Sequence, residues 1–418
     1  SIMRFYIASK IALSVILLCP GFLSIAQEDQ KKFDVSISGY VKNDLYFDSR
    51  QTFSAREGFT LFWPQPAQLD AGGEDINDKF NFNMLAIQSR LGVKAIGPDA
   101  FGAKTTGYIE TDFFAQSNAN INLLRLRHAF VKLNWTNTEL MAGQYWNPLF
   151  TAVCYPGVVS FNTGLPIQPF ARNPQLRLTQ SFGDLKLIVA ALSQRDHAST
   201  GGPSSLRNVG FPDMHLQLHY SSNSLVAGAG GAYKQIIPSL QTATGYKTTA
   251  SVGGLSLMGF LKLQTNALTF KLKDTYGQNI YDLLNISTYA ITDFSNDIYA
   301  YPEYTPIQNN SIWAEIHTNG SKFQTGIFGG YNQNLGASED IIPGTIAGGG
   351  RGVDNIHYIL RVAPRVVFIS NKTKIAAEVE YTGTAFAENP GDFDEKGKIT
   401  NSEYYANTRV LLSILYAF

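Results

Sequence analysis

Apolar and polar residues alternate with a period of two along most of this chain. From Asp34 to Asp48, Val35, Ile37, Val41, Leu45 and Phe47 fall on one face, and Asp34, Ser36, Ser38, Lys42, Asp44 and Asp48 on the other. Successive side chains of a strand point to opposite sides, so the segment predicts a strand with one apolar and one polar face. The stretch from Tyr404 to Phe418 repeats the pattern. Thr408, Val410, Leu412, Ile414, Tyr416 and Phe418 form one set, with Asn407, Arg409 and Ser413 between them. Fourteen further strands are predicted between these ends, near 82–96, 104–114, 121–135, 138–146, 174–182, 185–194, 213–221, 224–235, 248–264, 267–277, 309–318, 322–332, 354–368 and 373–385. The total is sixteen, an even count. The phase is ambiguous from His128 to Lys132 and in the Gly-rich stretches near 228 and 254.

The connectors fall mostly into two kinds, with 97–103 and 115–120 also short and 236–247 of medium length. Thr136-Asn137, Gly183-Asp184, Ser222-Asn223, Thr265-Asn266 and Asn319-Gly320 are hairpin-sized. Between them lie long connectors, at 49–81, 147–173, 195–212, 278–308, 333–353 and 386–403. Tight turns on one rim and extended loops on the other are the layout of an outer-membrane barrel. Loops of this length count against a compact soluble domain.

The N-terminal segment agrees with export. Arg4 and Lys10 precede the apolar run Ile11 to Leu18; Pro20-Gly21 breaks it, and Ser24-Ile25-Ala26 is a small-x-small cleavage signature. Residues 1–26 are therefore expected to be a cleaved signal peptide, and 27–418 a single transmembrane barrel. The run falls short of the ~20 apolar residues that a spanning helix needs. Of the two cysteines, only Cys154 lies beyond the signal peptide.

Composition narrows the picture. The 418 residues carry 33 basic and 33 acidic side chains, and only 16% are charged, against 44% hydrophobic and 12% aromatic. A neutral chain lacks the basic footprint of a nucleic-acid binder, and this much apolar surface argues against disorder. Lipid offers no hydrogen-bond partners, so a spanning sheet must close on itself. The expected fold is all-β: a closed antiparallel transmembrane β-barrel of about sixteen strands in the outer membrane of a Gram-negative bacterium. Tyr46, Phe47, Phe113, Phe130, Trp135, Tyr145, Trp146, Phe182, Tyr233, Tyr276, Tyr331, Tyr416 and Phe418 are placed in its interfacial girdles.

Sixteen strands leave an aqueous lumen. Arg90, Lys94, Glu110, Asp112, Arg125, Arg127, Arg177, Arg361, Arg365 and Arg409 alternate with apolar neighbours and are assigned to its wall, either lining the pore or pairing with one another to stiffen it. Lys271, Lys273, Lys374, Glu378 and Glu380 belong to the same faces. The set is more basic than acidic, which predicts a mild preference for anions. The connector 147–173 carries one charge, Arg172, in 27 residues. Such a composition suits a loop folded back into the barrel as a pore constriction, with Phe150, Tyr155, Phe161 and Arg172 as its candidate residues; the competing reading is a surface patch that meets a partner.

The blocks Gln88-Ser89-Arg90-Leu91-Gly92, Glu110-Thr111-Asp112-Phe113-Phe114, Leu124-Arg125-Leu126-Arg127-His128-Ala129-Phe130-Val131 and Gly143-Gln144-Tyr145-Trp146 resemble those of the DcaP-like trimeric porins of Gram-negative outer membranes. The ending Tyr416-Ala417-Phe418 looks like the signal read by the barrel-assembly machinery. The motif-bearing match spans about residues 35 to 150. The resemblance implies a homotrimer of sixteen-stranded barrels set in outer-membrane lipid and lipopolysaccharide. It also implies a third extracellular loop in each pore and passive passage of small hydrophilic, often anionic, solutes. The alternative is a non-conducting surface barrel, an adhesin or a subunit of an outer-membrane assembly, acting through its long loops.

Catalytic chemistry is not expected. His219 and Ser221 form a His-x-Ser pair, but the register places both on the lumen face near a short turn. The histidines show no zinc spacing, and Gly348-Gly349-Gly350-Arg351-Gly352 lacks the Gly-Lys-Ser/Thr of a phosphate loop. Asp392, Asp394 and Glu403 fall at calcium-loop spacing, so a calcium ion at an extracellular loop is the one cofactor considered. Lys396 stands where an oxygen ligand belongs, and a charged surface loop is the competing reading.

Overall fold

A computed structural model describes residues 33–418; the signal peptide expected at residues 1–26 lies outside the described residues. The strands are β1 (Asp34–Asp48), β2 (Asn81–Leu85 continued by Arg90–Ile96), β3 (Lys104–Asp112), β4 (Arg125–Asn134), β5 (Thr138–Trp146), β6 (Arg172–Phe182), β7 (Leu185–Leu192) and β8 (Asp213–Ser221). They continue with β9 (Leu225–Ile236), β10 (Val252–Gln264), β11 (Leu268–Gln278), β12 (Gln308–Thr318), β13 (Phe323–Gly336), β14 (Ile356–Ser370), β15 (Thr373–Phe386) and β16 (Glu403–Ala417). Each pairs antiparallel with its sequence neighbours, and β16 returns to β1 from Tyr40 opposite Ala417 to Asp48 opposite Arg409. The sheet is a closed sixteen-stranded barrel. Closure leaves no unpaired edge for hydrocarbon to meet.

The two faces of the wall separate as the alternation requires. Val35, Ile37, Val41 and Phe47 on β1, and Val410, Leu412, Ile414 and Tyr416 on β16, are all more than 40% exposed. Their polar neighbours Lys42, Asp44, Asp48 and Arg409 are buried inside. Asp274 breaks the rule. It follows inward Lys273 on β11, faces outward, and accepts a hydrogen bond from Asn310 Nδ2 at 2.9 Å. Among the described residues it is the one charged side chain on the outer face of the strands.

Two ambiguous phases are resolved by local geometry. Opposite β3, β4 carries a bulge between Leu126 and His128. A bulge sets two residues against one, so Arg127 and His128 both point inward. In β9 the inward positions fall on Gly228 and Gly230, where a Cβ would lie 2.6 Å from the Phe260 ring and 2.5 Å from Gln217 Cγ. The wall is thin there because neighbouring side chains occupy the space.

Four aromatics assigned to the girdles face the interior instead. Tyr46 is buried and donates to the Glu57 carbonyl at 2.8 Å, while Phe130, Tyr145 and Trp146 line internal cavities. Inward aromatics and lipid-facing ones have the same composition, so only register tells them apart.

Eight loops rise from one rim, and the first, third and sixth carry the largest sets of buried apolar residues. The first loop folds as a hairpin, Thr52–Ala55 against Thr60–Pro64, with Phe59, Leu61, Phe62 and Trp63 buried. The third contributes Leu149, Phe150, Phe161, Leu165 and Ile167; the sixth contributes Tyr281, Leu283, Leu284 and Ile286. Phe59, Phe114 and Phe161 pack ring against ring where the first, second and third loops meet.

Candidate functional site

The third loop, residues 147–171, is fixed to the inner wall by groups from β11 to β15. Near its start the Lys273 ammonium donates to the Leu149 carbonyl. Further on, Trp313 Nε1 donates to Gln168 Oε1 at 2.9 Å, Asn332 Nδ2 donates to the Pro166 carbonyl at 2.8 Å, and Arg361 donates to the Leu165 carbonyl. Carboxylates hold the middle of the loop. Glu315 accepts from the Gly157 N–H at 2.7 Å, and Glu378 accepts from Val159 and Ser160 at 2.7 and 3.0 Å. Glu380 accepts from Asn162 Nδ2 at 2.8 Å. Buried backbone groups must be paired, and an inward carboxylate supplies a strong acceptor; this explains acidic residues on a wall otherwise rich in arginine.

The space left open lies against the opposite wall, β2 to β8. A cavity of about 340 Å³ separates the loop segment Tyr155–Phe161 from Gln88, Arg90, Glu110, Arg127 and His128. It adjoins one of about 520 Å³ lined by Lys94, Tyr108, Phe130, Lys132 and Tyr145, and another of about 420 Å³ lined by Glu139, Arg177, Lys186 and His219. Together the three linings hold six Lys or Arg side chains, Arg90, Lys94, Arg127, Lys132, Arg177 and Lys186, against two carboxylates, Glu110 and Glu139.

The assigned wall residues all point inward, but their surroundings differ. Arg125 and Arg127 bind Asp112 at 2.9 and 3.0 Å, Arg127 also reaches Glu110 at 2.7 Å, and Arg90 lies 3.6 Å from Glu110. Arg365 pairs with Glu315. Lys94 is exposed to the lumen, and Arg177 donates to Gln175 Oε1 and the Trp146 carbonyl at 2.9 and 2.7 Å. Arg361 and Arg409 do not border open space. Arg361 donates to the Phe62 carbonyl of the first loop at 2.8 Å, and Arg409 donates to that of Gly58 at 2.6 Å while binding Asp48 at 2.6 Å. Both guanidiniums are 1% exposed, because the first loop covers them.

Three of the four loop residues border the cavity beside the third loop. Tyr155 is 42% exposed, Phe150 stacks on Trp146 at 3.9 Å and Phe161 packs on Phe114. Arg172 is the first residue of β6 and is fully buried beside Asp196 of the fourth loop at 2.7 Å. It ties that loop down and does not border the constriction.

The three carboxylates of the calcium-loop spacing do not come together in this structure. Asp392 Oδ2 accepts from the N–H groups of Glu388 and Asn389, and its Oδ1 accepts from Asn401 Nδ2 at 2.8 Å. The Asn401 amide and these N–H groups keep its carboxyl below the usual range. Asp394 Oδ1 accepts from Lys396 and Lys398, and Glu403 opens β16 opposite Phe386. Asp392 and Asp394 serve groups of their own loop, and no group of three such side chains converges among the described residues.

The first-loop hairpin and the buried part of the sixth loop were not anticipated. The run Phe59 to Trp63 inside a connector was the available signal, of the same kind that marked the third loop.

Neither a family model nor a curated protein matches the sequence. Solved structures do. The outer membrane channel DcaP of Acinetobacter baumannii is 14% identical over 94% of this chain and 100% of that one, with a TM-score of 0.65. The fold is that of the outer-membrane porins. OmpT of Vibrio cholerae, an outer membrane protein folded in vitro and solved in a trimer form, is 12% identical over 93% of this chain and 100% of that one, with a TM-score of 0.54. An anion-selective porin from Comamonas acidovorans is 11% identical over 93% and 100%, also at 0.54. Against this porin fold the long loops lie on one rim and the short turns on the other.

Proposed function

We propose that the chain is an outer-membrane porin passing small hydrophilic solutes by diffusion, with a mild preference for anions. The carrying observation is the lining of the three internal cavities, with its surplus of four positive charges beside the in-folded third loop. Fixed charge in a low-dielectric passage concentrates counter-ions there. The ion pairs of Arg125 and Arg127 moderate that field at the constriction. Below it, Lys94, Arg177 and Lys186 have no paired carboxylate among the described residues, so the discrimination is assigned to them.

In this reading the third loop sets the cross-section, the long loops face outward from the cell, and three copies assemble as in the trimer form of OmpT. No reaction is assigned to the chain. Liposome swelling with neutral, anionic and cationic solutes of matched size tests the reading: anions should enter fastest, and Arg177→Glu with Lys186→Glu, which brings the lining to four basic against four acidic groups, should remove that advantage. Liposomes that stay impermeable to all three would instead support the non-conducting barrel, an idea favoured by the apolar residues that three loops bury in the interior.

A further inference from the structure

Between the seventh loop (337–355) and the eighth (387–402), outside the lumen, lies a cavity of about 300 Å³. Ile341, Pro343, Ile346, Pro390 and Phe393 supply apolar walls. Its shape is set by backbone contact: a Cβ at Gly397 would fall 2.6 Å from Ile341 Cδ1 and 3.1 Å from Ile346 Cδ1, and the residue has φ +68°. The two loops are also joined by hydrogen bonds from Ala337 to Lys396 and from Ile341 to Glu395.

The charged groups lining it are three carboxylates, Asp354, Glu388 and Asp394, with no basic side chain among them. Glu388 accepts from the Tyr405 hydroxyl at 3.0 Å, and Asp394 accepts backbone N–H groups. Asp354, half-buried, has no hydrogen-bond or ion-pair partner among the described residues. The neighbouring Lys396 ammonium is turned away onto the Ser338 carbonyl at 3.2 Å. The carboxylates do not converge as a metal ion would require. They are spread around an apolar space, a layout that suits a cation whose charge is carried on a hydrocarbon body.

We propose that this cavity binds a small organic cation of the alkyl- or arylammonium class. An ammonium group meets Asp354 and Glu388 while its apolar part displaces water from the isoleucine and phenylalanine walls. The site is remote from the lumen groups and works whether or not the barrel conducts.

The test is calorimetric titration of the full chain, refolded in lipid nanodiscs, with phenethylammonium and with its neutral counterpart 2-phenylethanol. Phenethylammonium should bind saturably, and the alcohol at least about fivefold more weakly. Asp354→Asn combined with Glu388→Gln should weaken the ammonium by a similar factor, and Ile346→Trp, which fills the cavity, should abolish binding. Heat-modifiable migration of each variant checks that the barrel has formed. No saturation at millimolar probe, equal affinity for the alcohol, or undiminished binding in either variant would overturn the proposal.

Discussion

Glu378 is the residue whose removal most cleanly tests how the third loop is held. Its buried carboxylate accepts two backbone N–H bonds, from Val159 and Ser160, at 2.7 and 3.0 Å. Hydrogen bonds to a charged group are worth about 1.5–3 kcal/mol each, and the two share one carboxylate, so about 3 kcal/mol is the reasonable loss in Glu378→Ala. That shifts the balance between docked and detached loop by about a hundredfold. The flanks should stay in place, since Trp313, Asn332 and Lys273 hold the loop on either side of the lost contact. Glu315 and Glu380 still hold Gly157 and Asn162, so detachment is confined to residues 158–161. In planar-bilayer recordings the wild type should give quiet steps, and Glu378→Ala should give flickering open-channel current. Glu378→Gln, which retains one carbonyl acceptor, should fall between them. An alanine variant with wild-type noise and conductance would refute the claim that this carboxylate positions the loop.

Three further outcomes are expected. Asp48→Asn should destabilise the barrel by about 3 kcal/mol in urea unfolding, because Arg409 would remain buried without its counter-charge at the β1–β16 seam. Asp274→Leu should stabilise the lipid-embedded barrel by about 1 kcal/mol in the same assay, since an outward carboxylate is unfavourable against hydrocarbon. Asp392 has a lowered carboxyl pKa in the folded chain, so its contribution is present above the unfolded value of about 3.9 and is lost as pH falls through the lower folded one. Amide exchange at Glu388 and Asn389 should stay slow at pH 5 and accelerate only below about pH 4; added calcium should leave it unchanged.

The barrel was legible because its rule is local. Each strand declares two faces, and the strands at 34–48, 138–146 and 213–221 were readable to the residue. The interruption of β2 between Leu85 and Arg90 was not readable, since no residue there is barred from a strand; there the Lys42 N–H donates to Ser89 Oγ. At the bulge near Arg127, alternation alone assigned one of two adjacent polar residues inward where the structure takes both. Asp274 carries no signal of its own in the alternation, because a polar run including Lys271 and Lys273 obscures the outward position.

The site was legible only by composition. An apolar connector at 147–173 pointed inward, yet which of its residues would meet water depended on contacts between distant segments. Arg172 illustrates this, for its partner Asp196 lies in another loop. The same holds for Arg361 and Arg409, which a lumen-facing register could not distinguish from Arg177 until the first loop was seen to cover them.

The most direct test of the porin reading is the zero-current potential of the protein in a planar bilayer across a potassium chloride gradient. The account predicts discrete, salt-dependent conductance steps and a reversal potential displaced toward that of chloride, reduced by Arg177→Glu. A silent membrane, or a potential displaced toward potassium, would contradict it.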